Sequence, residues 1–167
     1  MQTLADYLKA HLDLSSGQGD FAHGIEGRFY TVARDLRAFK AVVVSRNAVP
    51  GQERGIANIT IPADAMIYVG WGVAQRLQSR RLGEHRTRRG PLEKLRASKA
   101  VVHSVVTVRG EPADWACSYY VREFSYVAGE EVVPQGTPFS LNKMSCQAGI
   151  HFFLTLGEAR AQSLAFL

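Results

Sequence analysis

The chain has 167 residues, 46% of them hydrophobic, 21% charged and 10% aromatic, a make-up that suits one compact domain with a buried core. No apolar run approaches the roughly 20 residues that cross a bilayer, which excludes a membrane-spanning helix. Net charge is +5 but unevenly spread: residues 76–99 hold nine basic and two acidic side chains, a local +7, and the remainder stands at −2.

Thr3 and Asp6 resemble a capping box, and Leu4, Tyr7, Leu8 and Leu12 recur at helical spacing, so residues 3–14 are expected as a helix. Ser15-Ser16-Gly17-Gln18-Gly19 stops it and begins a linker, so residues 1–20 form an N-terminal helix and connection. Strands are expected at 29–32, 39–45 and 56–61, the last closing at Pro62, with a turn around Pro50-Gly51 between the second and third. Residues 68–71 are apolar and aromatic, 73–82 have helix-forming side chains, and 83–91 form an arginine-rich loop.

The segment 100–109, rich in valine, is the clearest strand, and Gly110-Glu111-Pro112 ends it. Alternation continues over 119–126, Gly129-Glu130 makes a bend, and 131–134 is extended. Residues 149–154 are expected as a buried strand, followed by Thr155 as the cap of a helix at 156–165, with Glu158 three residues on. This order implies an α+β fold, a mostly antiparallel sheet with N-terminal, short central and C-terminal helices. One domain over 1–167 is expected, with residues 76–91 as an arginine-rich insertion.

The opening Met1-Gln2-Thr3-Leu4-Ala5-Asp6 lacks the basic and apolar regions of a secretory signal, so a cytoplasmic protein is expected. Cys117 and Cys146 have no neighbouring ligands at metal spacing, and they are expected as free thiols, with neither metal nor cofactor. Arginine outnumbers lysine 15 to five, and its planar fork suits phosphate. Arg76, Arg80, Arg81, Arg86, Arg88 and Arg89 therefore point to a phosphate-bearing partner, nucleotide or nucleic acid, or to an acidic protein surface.

Arg96, Ser98 and Lys99 stand where a basic turn enters the strand at 100, a place suited to holding phosphate; pairing with Glu93, Glu123 or Glu130 is the structural alternative. His151 lies between Ile150 and Phe152. If those two point inward, the imidazole faces the opposite side, where a ligand can meet it; a structural hydrogen bond is the other reading. Lys40 and Tyr126 are candidates for the same cleft.

Four separated stretches carry a resemblance: Ile59-Thr60-Ile61-Pro62-Ala63-Asp64-Ala65, then Lys94-Leu95-Arg96-Ala97-Ser98-Lys99-Ala100-Val101-Val102, Tyr126-Val127-Ala128-Gly129-Glu130 and Cys146-Gln147-Ala148-Gly149-Ile150-His151-Phe152-Phe153-Leu154-Thr155. Together these resemble the uncharacterised domain found C-terminal to pentapeptide repeats in bacterial and phage proteins, over roughly residues 39–165. The resemblance implies a fold and an accessory role in a phage or mobile element, but no mechanism. Two features depart from it: no pentapeptide array precedes the domain, and the segment between Ala65 and Lys94 is longer and more basic.

No HExxH, GxSxG or phosphate-loop signature is present. The reading is therefore a non-catalytic binding protein for a phosphate-bearing ligand or an acidic host-protein surface, without membrane partners. One alternative is a nucleotide-using enzyme of the ADP-ribosyl-transferring type, for which Arg96, Tyr126, Glu130 and His151 supply suitable residue types. A second is a structural module that self-associates through apolar strands.

Overall fold

The computed structural model of the protein describes residues 4–18, 27–44, 53–78, 95–118, 125–133 and 149–165. In chain order the elements are α1 (Leu4–His11), β1 (Leu12–Gln18), β2 (Arg28–Val32), β3 (Leu36–Val44), β4 (Glu53–Ile61), β5 (Met66–Val69) and α2 (Trp71–Gln78). There follow β6 (Leu95–Ala97), β7 (Ala100–Thr107), β8 (Pro112–Ala113), β9 (Trp115–Cys117), β10 (Ser125–Val127), β11 (Glu131–Val132), β12 (Ile150–Phe152) and α3 (Leu156–Ala165). This is an α+β architecture dominated by antiparallel sheet. No helix among the described residues is long and apolar enough to cross a membrane.

The strands form two sheets. A five-stranded sheet runs β1-β2-β5-β6-β12, and a seven-stranded sheet runs β10-β9-β3-β4-β7-β11 with β8 added to β7. The chain passes between them at three corners, residues 33–35, 62–65 and 98–99, which are tied together by hydrogen bonds. Val32 N donates to Ala65 O, Asp64 N to Val32 O and Ser98 N to Met66 O. Asp64 takes a φ of 72°, a left-handed position that aspartate tolerates better than most residues. The larger sheet is strongly curled. Its two ends, β10 and β11, are joined by only residues 128–130, where Gly129 (φ 89°) donates to Val102 O.

Period-two alternation explains the core. Tyr30, Val32, Ile67, Val69, Leu95, Ala97, Ile150 and Phe152 from the smaller sheet meet Ala38, Val42, Val44, Ala57, Ile59, Ile61, Val102 and Val105 from the larger one in a single buried cluster. On the outer side of the larger sheet, Ala159 of α3 packs on Ile56 and Phe153, with Phe39 and Val106 beside them. Phe39 and Phe153 also exchange backbone hydrogen bonds, which staples β12 to the larger sheet. The Thr155 hydroxyl accepts from Glu158 N at 3.2 Å, capping α3.

Two local expectations are corrected. The first helix ends at His11, short of residue 14, because the His11 carbonyl accepts from Ala33 N and Arg34 N at the first corner. Ser15 to Gly17 belong to β1 and are not a linker. Their turn-forming chemistry is absorbed in an irregular ladder: Asp13 Oδ1 accepts from Ser15 N, and Ser16 Oγ stands in for a strand carbonyl by accepting from Thr31 N. Two strand bounds also differ. The strand beginning at Ala100 ends at Thr107, with a turn through Gly110 (φ 83°), and β4 begins at Glu53, inside the expected turn. The expected loop at 83–91 and most of the expected strand at 119–126 lie outside the described residues.

Candidate functional site

The smaller sheet buries one side in the core and turns the other away from it. On that second side a row crosses four adjacent strands: Phe29 of β2 stands opposite Tyr68 of β5, Tyr68 opposite Arg96 of β6, and Arg96 opposite His151 of β12. Each is flanked by core-facing neighbours, as in Leu95-Arg96-Ala97 and Ile150-His151-Phe152. Alternation therefore leaves these four side chains the opposite face.

Arg96 is 0% exposed, Tyr68 1% and Phe29 5%, while His151 is half-buried. The Arg96 guanidinium carbon sits 4.5 Å from the Tyr68 ring centroid and 5.6 Å from that of Phe29. The two rings lie 5.2 Å apart at 57°, an edge-tilted pair. The cation is thus held on aromatic faces within the range of ring attraction. Burial pushes the Arg96 pKa below the usual guanidinium value, and the neighbouring Tyr68 phenol opposes that shift.

Gly27 is what lets this row close. A Cβ there would fall inside the Val69 carbonyl oxygen and 2.7 Å from Tyr68 Cζ, so any side chain would force the strand and ring apart. At the other end of β6, Ser98 fixes the register. Its N–H donates to Met66 O and its hydroxyl accepts from Met66 N at 2.9 Å, which locks β6 on β5 and so sets Arg96 beside Tyr68.

The structure brings Arg96 and His151 together as cross-strand neighbours and places Ser98 and Lys99, both half-buried, at the corner two and three residues beyond Arg96. Ser98 is committed to the β5 backbone. Tyr126 stands elsewhere: it is 0% exposed within the core cluster, opposite Ala116 of β9, and burial raises its phenol pKa. Lys40, half-buried on β3 opposite Ala57, shares by alternation the side of Ala38 and Val42 on the other sheet. Arg76 lies half-buried on α2, its Nε buried and without a hydrogen-bond partner among the described residues. Arg80, Arg81, Arg86, Arg88 and Arg89 lie outside the described residues, as do Cys146, Glu93 and Glu123. Cys117 is buried on β9 and forms no disulfide among the described residues.

Sequence reasoning singled out neither Phe29 nor Gly27 and gave Tyr68 no defined place. The signal that finds them is pairing register, which joins positions 29, 68, 96 and 151 into one row although 122 residue positions separate its ends. Among the described residues, no group of three or more His, Cys, Asp or Glu side chains is placed to hold a metal ion. What the arrangement offers is a buried positive charge beside a half-buried imidazole.

No curated protein and no solved structure matches this chain. A family does match, over residues 24–159, a span that takes in the whole row from Phe29 to His151. The chain belongs to that family, the family of unknown function DUF5758.

Proposed function

We propose that the protein is a binding module for a phosphate-bearing ligand, a nucleotide or a nucleic acid, and that it binds without turning the ligand over. The observation that carries this reading is the placement of Arg96 on the Tyr68 and Phe29 rings, directly opposite His151. A guanidinium in surroundings poor in water projects a stronger field than one in solvent, and the half-buried imidazole beside it brings a second nitrogen-bearing side chain to the same face. The residues between Gln78 of α2 and Leu95 of β6 add six basic and two acidic side chains, a net +4, and Leu95 immediately precedes Arg96 in the chain. The charge supplies attraction, and the row supplies a fixed point of contact.

The test is a thermal-shift panel of nucleotides, cyclic dinucleotides, dinucleotide cofactors, short DNA and short RNA, each at low and moderate salt. A bound ligand at about 100 times its Kd stabilises the fold by about 2.7 kcal/mol. His151→Ala is expected to reduce that response by the part that arises at the Arg96 row. For a nucleic acid, replacing Arg86, Arg88 and Arg89 by alanine is expected to reduce the salt-dependence slope by about three units, at roughly 0.9 per lost phosphate contact. Equal ligand responses in wild type and His151→Ala refute the cleft, and turnover of a labelled dinucleotide refutes the binding-only reading. A panel without any shift refutes both and directs attention to acidic protein partners.

A further inference from the structure

A second polar surface lies on the other sheet, on the side facing away from the core and next to α3. On β7, Val102 and Val105 are both core residues, and two polar residues, His103 and Ser104, separate them. Strict alternation allows only one or three residues between two that face the same way. The register shift in the β4–β7 ladder, where Asn58 pairs with Ser104 but Ile59 with Val102, resolves the conflict. It is a bulge that takes up one extra residue and turns two consecutive polar side chains outward.

Around this bulge the neighbouring strands present further donors. Arg37 of β3 stands opposite Thr60 of β4, and Asn58 lies one alternate position along β4, opposite Ser104. Thr60 Oγ1 is hydrogen-bonded to His103 Nε2, which fixes the imidazole. The Arg37 guanidinium carbon lies 5.7 Å from the Phe39 ring centroid, and that ring packs against the cluster beneath α3, so the cation rests on a fixed platform. Asn58 Oδ1 is buried and has no hydrogen-bond partner among the described residues. Arg37 and His103 are exposed, and Thr60, Asn58 and Ser104 are half-buried.

Two carboxylates bear on this face. Asp35, two residues before Arg37, accepts from Ala63 N at the corner. Glu131 lies on β11 opposite Val101, two strands beyond Thr60. The bulge itself is thus surrounded by donors from three strands. With about 4.8 Å between strands and about 6.7 Å between alternate residues, the Arg37 and Ser104 backbones stand about 12 Å apart, a span the long Arg37 side chain can shorten toward a phosphoryl group held at Asn58 and Ser104.

We propose that this bulge-built face is a second anion site, one that takes the phosphoryl group of a phosphate monoester. Arg37 supplies paired N–H donors and the charge, Ser104 and Asn58 supply hydrogen bonds from the neighbouring strands, and Thr60 orients His103 as a further donor. Donors converging from three strands match the three terminal oxygens of a phosphoryl group, whereas a planar carboxylate offers two. The site does not depend on the Arg96 row.

Isothermal titration of the full chain with inorganic phosphate, a nucleoside monophosphate and acetate tests the site, using wild type, Arg37→Gln, Ser104→Ala and His151→Ala. Arg37→Gln removes the charge at an exposed position and keeps much of the stem, so circular dichroism should show an unchanged fold. Phosphate should bind saturably in wild type; a saturable component should remain in His151→Ala, and that component should be at least about tenfold weaker in Arg37→Gln. Ser104→Ala should weaken it by a smaller factor. A monophosphate that binds like phosphate means the phosphoryl group alone is read, and one that binds more tightly while remaining sensitive to Arg37→Gln means the nucleoside is read too; both support the site. Wild-type affinity in Arg37→Gln, acetate binding as tightly as phosphate, or no saturable phosphate binding would each overturn the proposal. Phosphate binding lost in His151→Ala but retained in Arg37→Gln overturns it as well, by moving the anion to the Arg96 row.

Discussion

Replacing Arg96 by alanine and, separately, by methionine divides the packing work of its side chain from the work of its charge. The Tyr68 ring at 4.5 Å contributes about 2 kcal/mol in fully buried surroundings, and the Phe29 ring at 5.6 Å adds about 0.5 kcal/mol. Arg96→Ala forfeits both and leaves a cavity where the aliphatic stem lay, so a loss of about 3–4 kcal/mol is expected. Arg96→Met keeps most of the stem, retains contact with the rings through sulfur, and removes a charge that burial disfavours. Its stability should stay within about 1 kcal/mol of wild type. Urea unfolding followed by tryptophan fluorescence gives both values, provided the m-value is constant across the series. Arg96→Met should nevertheless lose the part of the thermal shift that a phosphate-bearing ligand produces at the row. If methionine destabilises as much as alanine, the fold itself needs the guanidinium's hydrogen bonds. If Arg96→Met keeps the full ligand response, the row is not where the ligand binds.

Three further outcomes follow from the packing. Gly27→Ala should cost about 3 kcal/mol, because its Cβ meets the Val69 backbone as well as the Tyr68 ring; an unchanged denaturation midpoint would show that the approach of residue 27 to β5 is looser than described. Burial raises the Tyr126 phenol pKa, and burial opposed by Arg28 raises that of Tyr30, above the ordinary 10.0. The unfolded chain releases these protons near pH 10 while the fold retains them, so their stabilising effect is full below pH 10 and is lost above it. The expected slope is up to about 1.4 kcal/mol per pH unit for each phenol. Tyr126→Phe should remove one of the two contributions, and an alkaline unfolding curve of unchanged slope would contradict its burial. Thr155→Ala should lower stability by about 1 kcal/mol through loss of the α3 cap, with far-ultraviolet circular dichroism and thermal melting as the measure.

The strands that carry the core were legible because their alternation is strong. From 56 to 61 the inward positions are Ala57, Ile59 and Ile61 and burial follows the alternation, while from 100 to 107 the enrichment in valine marks the strand although a bulge interrupts it. Local polar chemistry misled at residues 15–17, where serine and glycine suggested a stop. Ser16 Oγ serves there as a strand acceptor, which composition alone does not distinguish from a turn. His103 and Ser104 carry a subtler signal. Two polar residues between two core valines contradict strict alternation, and a bulge is the physical resolution.

The candidate row was legible in its parts and hidden in its whole. Arg96 between Leu95 and Ala97, and His151 between Ile150 and Phe152, each declare a side chain turned away from the core. Which strands lie side by side, and in what register, depends on contacts distant in sequence. A slip of one residue between β5 and β6 would exchange Tyr68 for a core residue opposite Arg96 and drive a guanidinium into the hydrophobic cluster. That penalty selects the register, and the paired hydrogen bonds between Ser98 and Met66 hold it at the corner. Ser98, expected among the phosphate-holding residues, is hydrogen-bonded to Met66 and anchors the strand that carries Arg96. The Phe29 ring reaches Arg96 only because the glycine two residues before it lets β2 approach β5 closely. The charge of Arg96 is therefore positioned by residues with no charge of their own, so a search for charged motifs finds the cation and misses what aims it.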